Sequence, residues 1–343
     1  MPLIAKVNIK QFIDNILAIK KRTRAKIIAV VKADAYGHGA AVLAKHSEPY
    51  VAEFAVADFK EAQELVDCGI KKQINILSPL APFVNFNIAK NIVPTVCSLY
   101  DIEVINNLNS FTKVNVELNT GMNRLGLDKK ELACAIKKIT AAGIKINSVF
   151  SHLFNATDKT ITNNQLKKFN CFTKRIPKNF DLHLAASSCM HLDKNYFFDA
   201  VRPGIGLYGY ADNTKPILKI CAGILKIFNV KKGDHISYGD YIAPRDMRIA
   251  SIRAGYADGI KRKINPESEN RFMSVRGTLC PIIGQVCMDI TMIDVTHADV
   301  NMLDRAYILG NGVTADMLAC ELDTNVYEVL TNFRGRVVRE YVI

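Results

Sequence analysis

Lys32 closes an apolar run, Ile27-Ile28-Ala29-Val30-Val31, and is followed at once by Ala33-Asp34-Ala35-Tyr36-Gly37-His38-Gly39. The run is short and β-branched, as a strand buried on both faces is, and the two glycines break it. An amine at the inner end of such a strand is partly desolvated. Its pKa falls, and the free base can condense with a carbonyl to form a Schiff base. A solvated lysine at a loop edge fits the same spacing, so the run alone leaves both readings open.

Three other segments carry groups suited to such chemistry. Asn119-Thr120-Gly121-Met122-Asn123-Arg124-Leu125-Gly126 presents an arginine from a glycine-bearing turn. Its fixed donors suit a phenolate or carboxylate, and equally a structural ion pair. Val201-Arg202-Pro203-Gly204-Ile205-Gly206-Leu207-Tyr208-Gly209 lets backbone amides approach an anion, to which Ser187 can add a hydroxyl; a plain turn is the alternative. Ala254-Gly255-Tyr256-Ala257-Asp258-Gly259 sets a tyrosine between small residues, with Gln285-Val286-Cys287-Met288-Asp289 following later. A phenol there is either a core group or a general acid or base.

The elements that must position these groups alternate. Eight apolar runs, Ile27–Val31, Phe54–Ala57, Ile74–Leu77, Val93–Cys97, Val114–Leu118, Ile146–Phe150, Leu182–Ala186 and Ala200–Gly204, are separated by helical stretches such as Phe59–Cys68 and Lys129–Ala142. Eight strands alternating with helices predict an α/β fold, a parallel (β/α)8 barrel of TIM type. Lys32, Asp58, Ser78, Ser98, Asn119, His152, Ser187 and Arg202 then fall at strand ends, where such barrels carry their chemistry. From about Asn213 to Pro216 the pattern turns to β alternation over Ile220–Val230, Arg248–Arg253, Val286–Val295 and Ala306–Leu309. Only two short helices, Ala315–Glu321 and Val326–Asn332, are expected there. The expected division is a barrel over 1–216 and a mainly-β domain over 217–343, with the first few residues pairing into the latter.

The totals exclude several classes. With 343 residues and 49% hydrophobic content the chain can bury a large core. The N-terminus has no apolar signal region and no stretch reaches membrane-span length, so a soluble, cytoplasmic protein without membrane association is expected. Nine cysteines without a Cys-x-x-Cys pair indicate neither a disulfide framework nor a zinc site, and no metal is expected. The net charge of +12 is spread along the chain instead of gathered into a basic tract, which argues against nucleic acid.

Taken together, these segments resemble the alanine racemases. The likeness runs in order through KIIAVVKADAYGHG, TGMNRLG, VRPGIGLYGY, ISYGD, GYADG, CMD and NVYEVL, and so spans nearly the whole chain. It implies a pyridoxal 5'-phosphate enzyme that interconverts L- and D-alanine with two bases, supplying D-alanine for peptidoglycan. The fold it implies is a homodimer with shared active sites. By this resemblance Lys32 holds the cofactor and is one base, and Tyr256, reaching the site from the second subunit, is the other. Tyr36, Ser187, Gly204, Ile205 and Tyr327 match phosphate-binding positions. Arg202 matches the arginine facing the pyridine nitrogen, His183 holds that arginine, and His152 stands between Arg202 and Tyr256. Arg124 matches a contact to the cofactor's phenolic oxygen and, joined by the Met288 amide, to the substrate carboxylate, with Asp289 bracing the Met288 turn.

The sequence departs from the family at several points. Where many members carry a carbamylated lysine seven residues before the motif arginine, this chain has Glu117, whose carboxylate is expected to orient Arg124 directly. Ala186 and Asn119 stand where asparagine and aspartate are usual, and the segment after His152 is one residue longer. The alternatives are a racemase of serine or broader specificity and a fold-related amino-acid decarboxylase.

Overall fold

The computed structural model describes residues 2–80, 88–174, 176, 179–262, 271–333 and 335–343. The chain divides into two compact units, one comprising Lys10–Ala35 and Gly39–Pro216, the other Met1–Ile9, Tyr36–His38 and Ile217–Ile343. In chain order the strands begin with β1 (Ile4–Asn8), β2 (Lys26–Val30), β3 (Glu53–Val56), β4 (Ile74–Ile76), β5 (Ile92–Val93) and β6 (Thr95–Val96). They continue with β7 (Lys113–Glu117), β8 (Lys145–Phe150), β9 (Asp181–Ala186) and β10 (Ala200–Arg202).

The first unit is a parallel barrel of strand order β5-β4-β3-β2-β10-β9-β8-β7-β6. Pro94 alone separates β5 from β6. Lacking an N–H, it interrupts the ladder, while its carbonyl still accepts the Asn115 amide at 2.8 Å. Residues 92–96 thus act as one strand that closes an eight-membered circuit, as the alternation predicts. Ile27, Ala29, Phe54, Val56, Ile74, Val114, Val116, Val149 and Leu184 on its strands are buried, at no more than 1% exposure.

Several polar strand-end residues serve the helices. Asp58 caps Phe59–Asp67 by accepting the Glu61 amide, and Ser98 with Asp101 forms a capping box at Leu99–Leu108. Asp128 and Asp158 cap Lys129–Ala141 and Lys159–Thr173 in the same way. A polar residue at a strand end is therefore not by itself a site residue here.

The second unit holds β11 (Leu218–Val230), β12 (Met247–Ile252), β13 (Phe272–Val275), β14 (Thr278–Ile283), β15 (Thr291–Asp294), β16 (Arg305–Leu309) and β17 (Val338–Val342). Their sheet order is β12-β15-β14-β13-β16-β11-β1-β17, with β1 antiparallel to β11 and parallel to β17. The expected strand Val286–Val295 is shorter, because Cys287 and Met288 give their carbonyls to the Tyr256 and Ala257 amides and leave the ladder. The pattern did not anticipate β13, β14 or β17. The helices Ala315–Leu322 and Val326–Asn332 form as expected.

Candidate active site

Lys32 stands two residues past the end of β2, after Val31, and enters a turn in which Ala33, Asp34, Ala35 and Tyr36 all take left-handed backbone angles, φ 52° to 54°. Each such non-glycine residue costs roughly 1–2 kcal/mol, so the turn persists only if its surroundings fix it. They do. The Ala33 amide donates to Glu61 Oε1 at 2.7 Å, the Ala35 amide to the Val31 carbonyl at 2.8 Å, and the Ala40 amide to Asp34 Oδ1 at 2.8 Å. Glu61 Oε2 accepts the Ala57 amide at 2.7 Å, tying the turn after Lys32 to the end of β3.

Burial lowers the Lys32 pKa, the Arg124 cation adds to that shift, and the Glu61 carboxylate opposes it. The amine is thereby moved toward the free base. His152 lies in the same field: burial, then Arg202, Arg124 and Lys32, push its pKa down to about 3. It is a neutral imidazole at neutral pH. Its backbone carbonyl accepts Gln165 Nε2 at 3.0 Å, and Gln165 in turn donates to Thr120 Oγ1 at 3.1 Å.

Arg202, at the end of β10, is buried at 5% exposure and has no salt-bridge partner among the described residues. Its Nη1 donates to His183 Nδ1 at 2.5 Å and to the His183 carbonyl, and its Nη2 donates to the Ser151 carbonyl at 2.6 Å. The guanidinium also stands over the Phe150 ring at 4.8 Å, against which His183 stacks. Burial lowers the Arg202 pKa to about 10, which leaves it charged at neutral pH, and burial with Arg202 holds His183 neutral.

Beyond β9, Ser187 Oγ accepts the Gly204 and Gly206 amides at 2.8 and 3.0 Å. With both lone pairs engaged, the hydroxyl hydrogen is left to donate to an anion beside the turn Ile205–Tyr208. A Cβ on Gly206 would stand 3.0 Å from the Ala211 Cβ and 3.2 Å from that oxygen, a tight fit that would require these neighbours to give by a few tenths of an ångström.

Glu117 corrects an expectation. It forms no ion pair with Arg124; its Oε2 instead accepts the Cys97 thiol at 3.4 Å. Burial raises the Glu117 pKa, countered by that thiol and by the Arg202 and Arg124 charges. Arg124 is on the exposed part of its turn and Glu117 on the inward face of β7, so the two interact only through the field.

In the β unit, Tyr36 and Tyr327 lie with ring centroids 6.1 Å apart. Gly37 brings the chain so near the helix Val326–Asn332 that a Cβ would sit 2.6 Å from the Leu330 carbonyl. Arg339 Nε and the Tyr341 hydroxyl hold the Gly37 and His38 carbonyls at 3.0 and 3.2 Å. Tyr256 opens the turn Tyr256–Asp258 and is 38% exposed. Its amide and that of Ala257 donate to the Cys287 and Met288 carbonyls at 3.0 and 3.1 Å. Asp258 Oδ2 accepts the Gly255 amide at 2.9 Å, and Arg336 bridges Asp258 and Asp289 at 3.2 and 2.6 Å. The Arg262 guanidinium is 5.9 Å from the Tyr256 ring centre.

Lys32, Arg124, His152, His183, Ser187, Arg202, Gly204 and Ile205 thus belong to the barrel, whereas Tyr36, Tyr256, Met288, Asp289 and Tyr327 belong to the β unit. Sequence reasoning passed over Glu61, Gln165 and Arg336. Glu61 carried a signal, since it is the third residue after the cap Asp58 yet turns away from the capping box to the neighbouring strand end.

The sequence matches the family model for the alanine racemase N-terminal domain over residues 7–212 and that for the C-terminal domain over 217–341. It is 36% identical over 362 aligned positions to an alanine racemase of Thermodesulfovibrio yellowstonii, covering 99% of this chain and 98% of that protein. Among solved structures, alanine racemase from Bartonella henselae with covalently bound pyridoxal phosphate superposes with a TM-score of 0.86 at 27% identity, covering 100% of both chains. Histidine racemase from Leuconostoc mesenteroides superposes with a TM-score of 0.89 at 25% identity, covering 99% of this chain and 98% of that one.

Proposed function

The chain belongs to the alanine racemase family, and we propose from that premise that Lys32 and Tyr256 are the two bases with which it inverts alanine. It is a pyridoxal-phosphate-dependent isomerase that interconverts L- and D-alanine. The residues fit that cofactor. Lys32 offers a desolvated amine for its aldehyde, Arg202 a buried cation for its ring nitrogen, and the Ser187–Gly204–Ile205 turn an anion cradle for its phosphate. The Tyr36 and Tyr327 hydroxyls are the further phosphate ligands in this reading.

When bound, pyridoxal phosphate withdraws electron density from the amino acid's Cα and acidifies its hydrogen. The chain's own groups do the rest. Lys32 Nζ takes or returns a proton on one face of Cα, and the partner's Tyr256 does so through its phenolic oxygen on the other. Arg124 and the Met288 amide bind the substrate carboxylate. Arg202 keeps its own protons and so presents a hydrogen bond, rather than a transferable proton, to the ring nitrogen. His183 holds Arg202, and His152 stands as a neutral group between Arg202 and Tyr256. Asp289 braces the Met288 turn through Arg336. The working form in this reading is a homodimer with shared sites, cytoplasmic, making D-alanine for peptidoglycan.

The observation that carries this reading is the strained turn after Lys32, held so that a desolvated amine stands at the barrel's strand ends. The test follows deuterium exchange at Cα for alanine, serine and histidine with wild type and Tyr256→Phe. Tyr256→Phe should lose racemisation by roughly 10²- to 10⁴-fold, the range for a removed acid–base group. Unimpaired inversion in that variant would overturn the two-base assignment. The likeness to a histidine racemase keeps a broader specificity as a second reading, which the same panel decides.

A further inference from the structure

The barrel interior holds a file of polar side chains where such barrels ordinarily pack branched apolar ones. His183 Nε2 lies 2.9 Å from Ser148 Oγ, and the Ser148 hydroxyl donates to Asn115 Oδ1 at 2.7 Å. Asn115 Nδ2 donates to Asn75 Oδ1 at 2.8 Å, and Asn75 Nδ2 donates to Glu53 Oε2 at 2.7 Å and to the Phe54 carbonyl at 3.0 Å. Asn75, Asn115, Ser148 and His183 are each at most 4% exposed.

The direction of every bond in this file is forced from its two ends. A guanidinium has donors only, so His183 Nδ1 must accept from Arg202, and the proton of a neutral ring then resides on Nε2. At the far end the Phe54 carbonyl can only accept, which turns the Asn75 amide so that its oxygen faces Asn115. That in turn directs the Asn115 oxygen toward Ser148, a placement that Asn147 Nδ2 supports by donating to the same oxygen at 2.9 Å. The Ser148 hydrogen is thereby committed to Asn115, and its lone pair is left for His183 Nε2–H. If Asn115 were reversed, the Ser148 hydrogen would turn to His183 and demand a bare Nε2, which the Arg202 contact forbids.

We propose that Ser148, Asn115, Asn75 and Glu53 are positioning residues, a one-way hydrogen-bond relay that commits His183 to the Nε2–H tautomer and so fixes the acceptor on which Arg202 is held. The proposal rests on the assignment of Arg202 to the cofactor ring for its functional meaning, but the tautomer itself does not depend on that assignment. None of the four residues touches the substrate in the reading above. They act through His183, and their effect belongs to the orientation of Arg202.

The test is ¹⁵N and ¹H NMR of the full-length, cofactor-loaded protein labelled at histidine, with the His183 signals assigned by their loss in His183→Gln. Wild type should show a bare Nδ1 and a protonated Nε2 whose hydrogen exchanges slowly. Asn75→Leu, which contacts neither His183 nor Arg202, should release the Asn115 amide and let part of the His183 population take the Nδ1–H form, giving up its bond from Arg202 Nη1. Asn115→Leu should do the same more strongly, and Ser148→Thr should retain the wild-type tautomer. In racemisation, kcat should fall by roughly 10-fold in the leucine variants with KM for alanine little changed, the pattern of an orientation lost at the reacting centre. A wild-type His183 protonated on Nδ1, or folded leucine variants with unaltered His183 signals, would overturn the relay. Wild-type tautomer control in a protein that fails to racemise alanine would instead count against the functional reading alone.

Discussion

The Glu61 carboxylate accepts the Ala33 amide at 2.7 Å, so the first peptide after Lys32 is held by a side chain from the helix that follows the next strand. Its second oxygen holds Ala57 at the same distance. Replacing Glu61 by Ala leaves two backbone donors without acceptors, at about 2 kcal/mol of stability in urea unfolding. It also removes the anion that opposes the lowering of the Lys32 pKa. The titration of Lys32, followed by the pH dependence of its condensation with an aldehyde, should therefore move to lower pH. An upward or absent movement would show that Glu61 does not act on the amine.

Gly255 is required by space and not by backbone angle. A Cβ there would stand 2.3 Å from both the Cys287 and Met288 carbonyl oxygens, the two groups that accept from Tyr256 and Ala257. Gly255→Ala must push that loop away, at a cost of about 1–3 kcal/mol or more. Because Met288 supplies a carboxylate contact in the proposed site, KM for alanine should rise together with the loss of stability. An unchanged unfolding midpoint would mean the loop yields freely.

Cys97 should be inert to alkylation. Its thiol is 5% exposed, burial raises its pKa beyond the ordinary range, and the adjoining Glu117 carboxylate opposes ionisation further. Cys68, Cys134, Cys171 and Cys320 are exposed. Mass spectrometry after iodoacetamide treatment of the native protein at pH 8 should find label on those four and none on Cys97. In Glu117→Gln the anion is gone, and slow labelling of Cys97 should appear. Rapid labelling in the unaltered protein would contradict the Cys97–Glu117 bond.

The barrel was legible because its signal repeats: eight apolar runs alternating with helical stretches admit few alternatives, and even the Pro94 break leaves the circuit intact. Candidate site residues stood out in the sequence where glycines lie close by, as beside Lys32 and Tyr256. What remained hidden is of another kind. Asn75 and Asn115 sit between apolar neighbours in Ile74-Asn75-Ile76 and Val114-Asn115-Val116, so a hydrophobic count reads them as interruptions, while the barrel aims them inward at one another. Glu117 was placed against Arg124 by the family resemblance, but its partner Cys97 comes from the neighbouring strand end, a relation that only the closed sheet creates. Arg336 reaches Asp258 and Asp289 across still longer separations.

His152 should make the protein lose stability on acidification in a defined window. Its pKa in the folded chain is pushed down to about 3 by burial and by the Arg202, Arg124 and Lys32 cations, against about 6.5 for an unfolded histidine. Between these values the unfolded chain binds a proton that the folded chain refuses, so unfolding is favoured as pH falls. The His152 contribution is fully present above about pH 6.5 and is lost at up to about 1.4 kcal/mol per pH unit below it. Glu53 and Glu117 act in the opposite sense. Burial raises both carboxyls, so they favour the folded state at acid pH and lose that contribution as pH rises through their folded values. They are common to wild type and His152→Gln, and they cancel in the difference between the two. Urea unfolding of both proteins from pH 7.5 to 4.5 should therefore show a wild-type stability that falls more steeply below pH 6.5 than that of the glutamine variant. Parallel curves would mean that His152 takes up a proton in the folded state, and the neutral imidazole beside Arg202 would have to be abandoned.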